Sequence, residues 1–243
     1  MKRTVALVHG AWHGAWCWEW VVPLLAARGI EAVAIDLPGH GRDPGVLGDL
    51  NQDAARVHEM LDRLGGGVVL VGHSYGGAVI TQAGNHGAVA HLVYLAAFPL
   101  QMDESCASTA AHEPEARHIT YEGRPNVGSG FVVGPNGTIT LDPVVAAECL
   151  YNRCDPDLVR WAVAQLGPQP LITFQQSPTT EAWRSKASTY AVCADDMVVH
   201  PDLQRILARR CGSVVEWPTD HSPFLSRPEL VADLLTALAT DPG

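Results

Sequence analysis

The chain has 243 residues, 47% of them hydrophobic, and a formal net charge of −10. That length and apolar content suit one α/β domain, or one core domain carrying a small insertion. The acidic balance argues against a nucleic-acid partner, because no basic patch is present to neutralise phosphates.

Up to residue 97 short apolar runs alternate with helical patterns, which predicts a parallel sheet built from βαβ units. Thr4–Val8 is the first predicted strand. Lys2-Arg3 precede only this short run, which ends at His9-Gly10, so it reads as a strand and not a signal peptide. A Trp-rich helix follows from about Trp16 to Arg28. Ala32–Ile35 is the second strand and stops at the turn cluster Asp36-Leu37-Pro38-Gly39-His40-Gly41. A helix is expected over Leu50 to Leu64, closed by Gly65-Gly66-Gly67.

Val68–Val71 is the third strand. It runs straight into Gly72-His73-Ser74-Tyr75-Gly76, with a helix-like segment over Tyr75–Asn85. A G-x-S-x-G pattern arises by composition alone with a chance of roughly one in ten in a chain this rich in glycine, so its context decides. Here the strand-to-helix context is present and predicts a nucleophile elbow. A serine hydroxyl is a weak nucleophile and must be held clear of the backbone, near a base and beside oxyanion donors. Gly72 and Gly76 supply the bare backbone that so tight a crossing needs, and Ser74 is the candidate nucleophile. His91–Ala96 is the fourth strand, ending near Phe98-Pro99.

From about residue 100 to 184 the alternation breaks. Phe131–Leu141 looks like a hairpin around Asn136-Gly137. Asp142-Pro143 and Asp155-Pro156 each pair an N-cap with proline at the first helical position, opening two short helices. The segment is read as an inserted cap, which divides the chain into a core of residues 1–99 and 185–243 and a cap of residues 100–184. The βα rhythm resumes with Ser188–Val192, a helix from about Pro201 to Arg210, the strand Val214–Trp217 and a last helix from about Arg227 to Ala239.

A serine nucleophile needs a base, and the base needs an acid to fix its tautomer. His221 follows the last strand and is the candidate base. Asp195 and Asp196 follow the strand before it. Asp196 is preferred because the next helix starts five residues later at Pro201; Asp195 is the competitor and Asp103 a distant third. Asp220 is read as setting the loop that carries His221. Two backbone N–H groups must face the developing oxyanion: Tyr75, directly after the nucleophile, and Ala11, in the loop after the first strand. His9 and His13 border that loop and are expected to be buried structural residues, with His73 pointing away from substrate. Trp12, Phe131, Trp161, Phe174, Trp183 and Phe224 are candidates for an apolar pocket wall, with plain core packing the alternative for each.

The six cysteines show no metal-ligand spacing and read as reduced, mostly buried thiols, which points to the cytoplasm. No metal and no cofactor is expected. No stretch approaches the roughly 18 apolar residues of a membrane span. The oligomeric state is not legible.

The segments His9–Trp16, Asp36–Gly41, Gly72–Gly77 and Asp220–Phe224 together resemble the α/β-hydrolase superfamily, and within it the small esterases of the methyl-salicylate esterase and hydroxynitrile lyase group. The resemblance spans the whole chain. It implies an α/β-hydrolase fold, a mostly parallel central sheet flanked by helices with an inserted cap, and a Ser-His-Asp hydrolase acting on a small, largely apolar ester. Plant hydroxynitrile lyases of this fold carry Thr directly after the first-strand His and Lys directly after the catalytic His. This chain has Gly10 and Ser222 there, neither of which supplies a cation, so the esterase side is favoured. The esterases usually have Leu after the nucleophile and Met after the histidine, where this chain has Tyr75 and Ser222. Two alternatives stand beside hydrolysis: a lyase or other biosynthetic enzyme using the same three residues, and a non-catalytic small-molecule receptor.

Overall fold

A computed structural model of the chain describes residues 3–120 and 122–241; Lys2, read above as flanking the first strand, lies outside them. The chain runs through β1 (Thr4–Val8), α1 (Val21–Ala27), β2 (Ala32–Ile35), α2 (Leu50–Leu64), β3 (Val68–His73), α3 (Gly76–Ala83) and β4 (Val89–Leu95). After a segment of short elements it resumes with β8 (Ala187–Cys193), α7 (Pro201–Ala208), β9 (Ser213–Trp217), α8 (Pro223–Ser226) and α9 (Pro228–Thr240). Six strands form one sheet in the order β2-β1-β3-β4-β8-β9, and every pairing in it is parallel. This is the mostly parallel sheet with flanking helices that the sequence pattern implied.

Side chains alternate between two apolar layers, as strand geometry requires. Val5, Leu7, Val69, Val71, Val93 and Leu95 face α1 and α9, whereas Ala6, Val8, Val68, Leu70, Leu92 and Tyr94 face α2, α3 and α7. The central strands are therefore apolar on both faces, which is why they read as continuous runs. The chain leaves β1 toward one edge and β3 toward the other. A crevice thus opens at the carboxyl ends of these two strands, the point where open α/β sheets bind ligands.

The expected helix over Trp16–Arg28 is divided. Ala15–Trp18 forms a 3₁₀ turn, and α1 starts only at Val21. Pro23 lacks an N–H and is tolerated in the first helical turn, so it sets where α1 can begin.

Between β4 and β8 lie α4 (Thr109–His112), α5 (Pro143–Leu150), α6 (Pro156–Val163), several 3₁₀ turns, and a small sheet of β5 (Phe131–Val133), β6 (Thr138–Leu141) and β7 (Gln169–Pro170). The β5–β6 hairpin turns at Asn136 (φ +59°) and Gly137 (φ +71°), the left-handed pair that an Asn-Gly turn supplies. Asp142 and Asp155 cap α5 and α6 by accepting from the N–H groups of the first turn. Among the described residues no helix is long and apolar enough to cross a membrane.

The closeness of β3 to α3 is testable. A Cβ at Gly72 would stand 2.4 Å from the Gly76 carbonyl oxygen, whereas one at Gly66 would meet nothing within 4 Å. Gly72→Ala is expected to lower the unfolding free energy by about 1–3 kcal/mol, and Gly66→Ala to change it by less than about 0.5 kcal/mol. Urea unfolding of both variants checks this; equal midpoints contradict it.

Candidate active site

Ser74 sits between β3 and α3 with φ +52°. A left-handed backbone is unusual for a residue other than glycine, and this one turns the chain sharply enough to project the side chain off the sheet end. The Ser74 N–H donates to the Leu95 carbonyl at 3.1 Å, and its carbonyl accepts from Gly77 N–H at 2.9 Å. Gly10 crosses directly against it: a Cβ there would meet His73 Nδ1 at 2.7 Å and Ser74 Cβ at 2.9 Å. The loop after β1 is thereby pressed onto the elbow, and a side chain at position 10 would force His73 or Ser74 to shift.

His221 follows β9 and Asp196 follows β8. The His221 Nδ1 is 2.7 Å from Asp196 Oδ2, and both side chains are buried. Asp196 also accepts from Val198 N–H at 2.7 Å, Val199 N–H at 3.0 Å and Gln204 Nε2 at 2.8 Å. These donors fix the orientation of the carboxylate and hold Oδ2 toward the imidazole. Asp195, by contrast, pairs with Arg153 at 3.0 Å near the surface, and Asp103 lies exposed near His112. Asp220 accepts from Arg153 N–H, Ser222 N–H and Ser226 Oγ, so it braces the loop that carries His221. Among the described residues no hydrogen bond joins Ser74 Oγ to His221. The His73 Nε2–H donates to the His221 carbonyl at 2.8 Å and so braces the loop that carries the imidazole. His73 is wholly buried.

Four histidines line the back of the site. His9 donates Nδ1–H to the Gly10 carbonyl at 2.8 Å and accepts the Leu37 N–H at Nε2. His13 contacts the Ala11 carbonyl at 2.7 Å and the Tyr151 hydroxyl at 2.8 Å. His40 lies against His9, and His73 against His221, at ring distances of 5.3 and 4.7 Å. Burial holds His9 and His73 well below the ordinary imidazole range, lowers His40, and brings His13 down to about 4. Among the described residues the N–H groups of Ala11 and Tyr75 donate no hydrogen bond, as free oxyanion donors would be.

Of the expected pocket residues, Trp12, Phe131 and Phe174 come together. Trp12 stands 5.8 Å from Phe131 and 5.6 Å from Phe174, and Phe174 lies 6.1 Å from Tyr75. The other three do not join them. Trp161 packs between Trp16 and Trp20, because the apolar face of α6 docks on the 3₁₀ turn. It lines a separate cavity of about 870 Å³ with Trp18, Asp36 and Arg42. Trp183 bonds the Leu100 carbonyl and lies beneath Arg184 and Arg210. Phe224 is wholly buried under His73 and Trp18, where it supports the histidine layer.

The sequence reading missed several residues. Gln204 holds Asp196 and accepts from Cys193 N–H; its signal was a polar residue on the otherwise apolar face of α7. Asp53 accepts from the Tyr75 hydroxyl at 2.5 Å, and burial pushes its pKa up to about 7 against the pull of that bond.

The sequence matches the alpha/beta hydrolase family over residues 5–234. The chain belongs to this family. It is 30% identical to the alpha/beta hydrolase nvfD of Aspergillus novofumigatus, covering 97% of this chain and 96% of that one. It is 28% identical to methylesterase 2 of Arabidopsis thaliana, covering 98% and 96%. Among solved structures it resembles a pyrethroid hydrolase from Sphingobium faniae, with a TM-score of 0.84 at 26% identity over 100% of this chain and 99% of that one.

The neutral histidine layer makes stability pH-dependent. An unfolded imidazole titrates near 6.5, so between there and about 4 folded His13 binds fewer protons than unfolded His13. Its contribution is complete above about pH 6.5 and is lost as pH falls, by up to about 3 kcal/mol. His9, His40 and His73 act in the same sense; the raised pKa values of Asp53 and Asp220 act in the opposite one and offset part of it. The unfolding free energy from urea titration is expected to fall between pH 7 and pH 5, and a rise over that interval contradicts a neutral layer.

Proposed function

We propose that Ser74, His221 and Asp196 act as nucleophile, base and acid in two-step acyl transfer on a small, largely apolar carboxylic ester. The chain is a carboxylic ester hydrolase, the class its methylesterase relatives share; the proposal concerns the residues and the substrate. The observation that carries it is the 2.7 Å contact of His221 Nδ1 with buried Asp196, on loops at the same sheet end as the left-handed Ser74.

In this reading Ser74 Oγ attacks the ester carbonyl while His221 Nε2 takes its proton. Asp196 keeps the Nδ1–H tautomer and stabilises the imidazolium. The Ala11 and Tyr75 amides stabilise the oxyanion, and His221 protonates the leaving alkoxide. His221 then activates water, which releases the acid from Ser74. Residues 100–184 act as the cap, and Trp12, Phe131, Phe174 and Tyr75 form an apolar wall that fits a compact alcohol or acyl group. The free thiols are buried or half-buried, with burial raising each of their pKa values; inert reduced thiols suit a cytoplasmic setting.

Turnover of a p-nitrophenyl ester series from acetate to octanoate tests the assignment. Ser74→Ala and His221→Ala are each expected to lower kcat by about 10⁴-fold or more. Asp196→Asn should lower it by about 10³–10⁴-fold, while Asp195→Asn stays within about threefold of wild type. Near-normal turnover in Ser74→Ala contradicts the assignment. Silence of the wild-type enzyme across the series, with Ser74 still labelled by a fluorophosphonate, favours the lyase or biosynthetic alternative.

A further inference from the structure

Trp12 directly follows Ala11 and has φ +64°, a strained backbone for so bulky a residue. Both of its backbone polar groups are bonded to the cap segment that contains β7. The Trp12 N–H donates to Gln169 Oε1 at 3.2 Å, and the Trp12 carbonyl accepts the Gly167 N–H at 2.8 Å. Its indole lies against Phe131 and Phe174, which are cap residues too.

Gln169 is completely buried, and its orientation is determined. Thr173 Oγ1 donates its hydrogen to the Pro170 carbonyl at 2.7 Å and so receives the Gln169 Nε2–H at 2.8 Å. That leaves Oε1 facing Trp12 N–H on one side and His40 Nε2 at 2.9 Å on the other. His40 in turn follows β2 and packs on His9. One cap side chain therefore ties the loops after β1 and β2 together at the point where the Ala11 amide must be aimed. A buried amide with each polar atom engaged is a precise positioning device, because any movement leaves a donor or acceptor unpaired.

We propose that Gln169 is a positioning residue through which the seated cap holds Trp12 in its left-handed conformation and so keeps the Ala11 N–H directed at the oxyanion. Seating of the cap and assembly of the oxyanion hole are then one event. Without the clamp, Trp12 relaxes toward negative φ, and the adjoining Ala11 torsions absorb the change. The inference rests on the reading of Ala11 as an oxyanion donor.

The test is steady-state hydrolysis of p-nitrophenyl butyrate by wild type, Q169L, Q169E and Q169N, with Ser74→Ala in the same assay and thermal unfolding of each variant alongside. Leu fills the space without an acceptor. Glu keeps the acceptor for Trp12 and His40, with the Thr173 hydroxyl turning from the Pro170 carbonyl to donate to its second oxygen, and Asn keeps the amide but falls one methylene short. Q169L and Q169N are expected to lose kcat on the order of tenfold to a hundredfold with KM within about threefold, while Q169E stays within about threefold of wild-type kcat. Should Q169L fail to fold, the contrast between Q169N and Q169E decides. Wild-type kcat in Q169L or Q169N overturns the clamp, as does a loss in Q169E as deep as theirs. If Ser74→Ala is inactive while the Gln169 variants are unaffected, only the clamp falls; if Ser74→Ala turns over normally, the triad reading falls with it.

Discussion

The site depends on one close crossing, where β3 passes into α3 through Ser74. The left-handed backbone of that residue costs about 1–2 kcal/mol, and the surrounding packing enforces it. Gly72 lies under the Gly76 carbonyl, Gly76 faces the His9 carbonyl, and Gly10 lies against Ser74 Cβ, each at a separation where a side chain would not fit. Strain here is sustained by strands whose side chains are buried on both faces of the sheet. Because β1 and β3 are neighbours in register, with Val8 opposite Gly72, the loop after β1 is delivered to the elbow without any long-range adjustment.

A second constraint follows from the first. Loops converging on a crowded sheet end carry polar backbone groups that water cannot reach, and imidazoles satisfy several of them. His9 engages the Gly10 carbonyl and the Leu37 amide, His13 the Ala11 carbonyl, and His73 the His221 carbonyl. Their low proton affinity comes from the same burial that makes them necessary. At this end of the sheet the buried histidines divide by environment: His221 faces a carboxylate, whereas His9, His13 and His73 face backbone.

Much of the core was legible because its signals are local. The apolar runs of β1 and β3, the strand-to-helix context of Ser74, and the placement of His221 and Asp196 after late strands all follow from short-range pattern and chain order. The division of the first helix was readable in principle from Pro23. Between β4 and β8 only the Asn-Gly hairpin and the Asp-Pro starts of α5 and α6 carry local signals; the rest is 3₁₀ turns, the four-residue α4 and strands of two to four residues, too short to show a period. Aromatic identity does not say which way a side chain in this region faces. Trp161 and Phe174 look alike in sequence, yet one docks against Trp16 and Trp20 and the other reaches Trp12. Gln204, Gln169 and Asp53 act through partners between 8 and 157 residues away, and only the folded arrangement brings those partners together.

The central claim is that an acyl group passes through Ser74. Mixing the enzyme with excess p-nitrophenyl acetate, quenching in acid within milliseconds and mapping the product by peptide mass spectrometry tests this directly. The account predicts an acetyl group on the peptide containing Ser74, accumulating with the burst of p-nitrophenol. A burst whose acetyl group maps to another residue, or turnover with water attacking the ester and no adduct at any time, would contradict it.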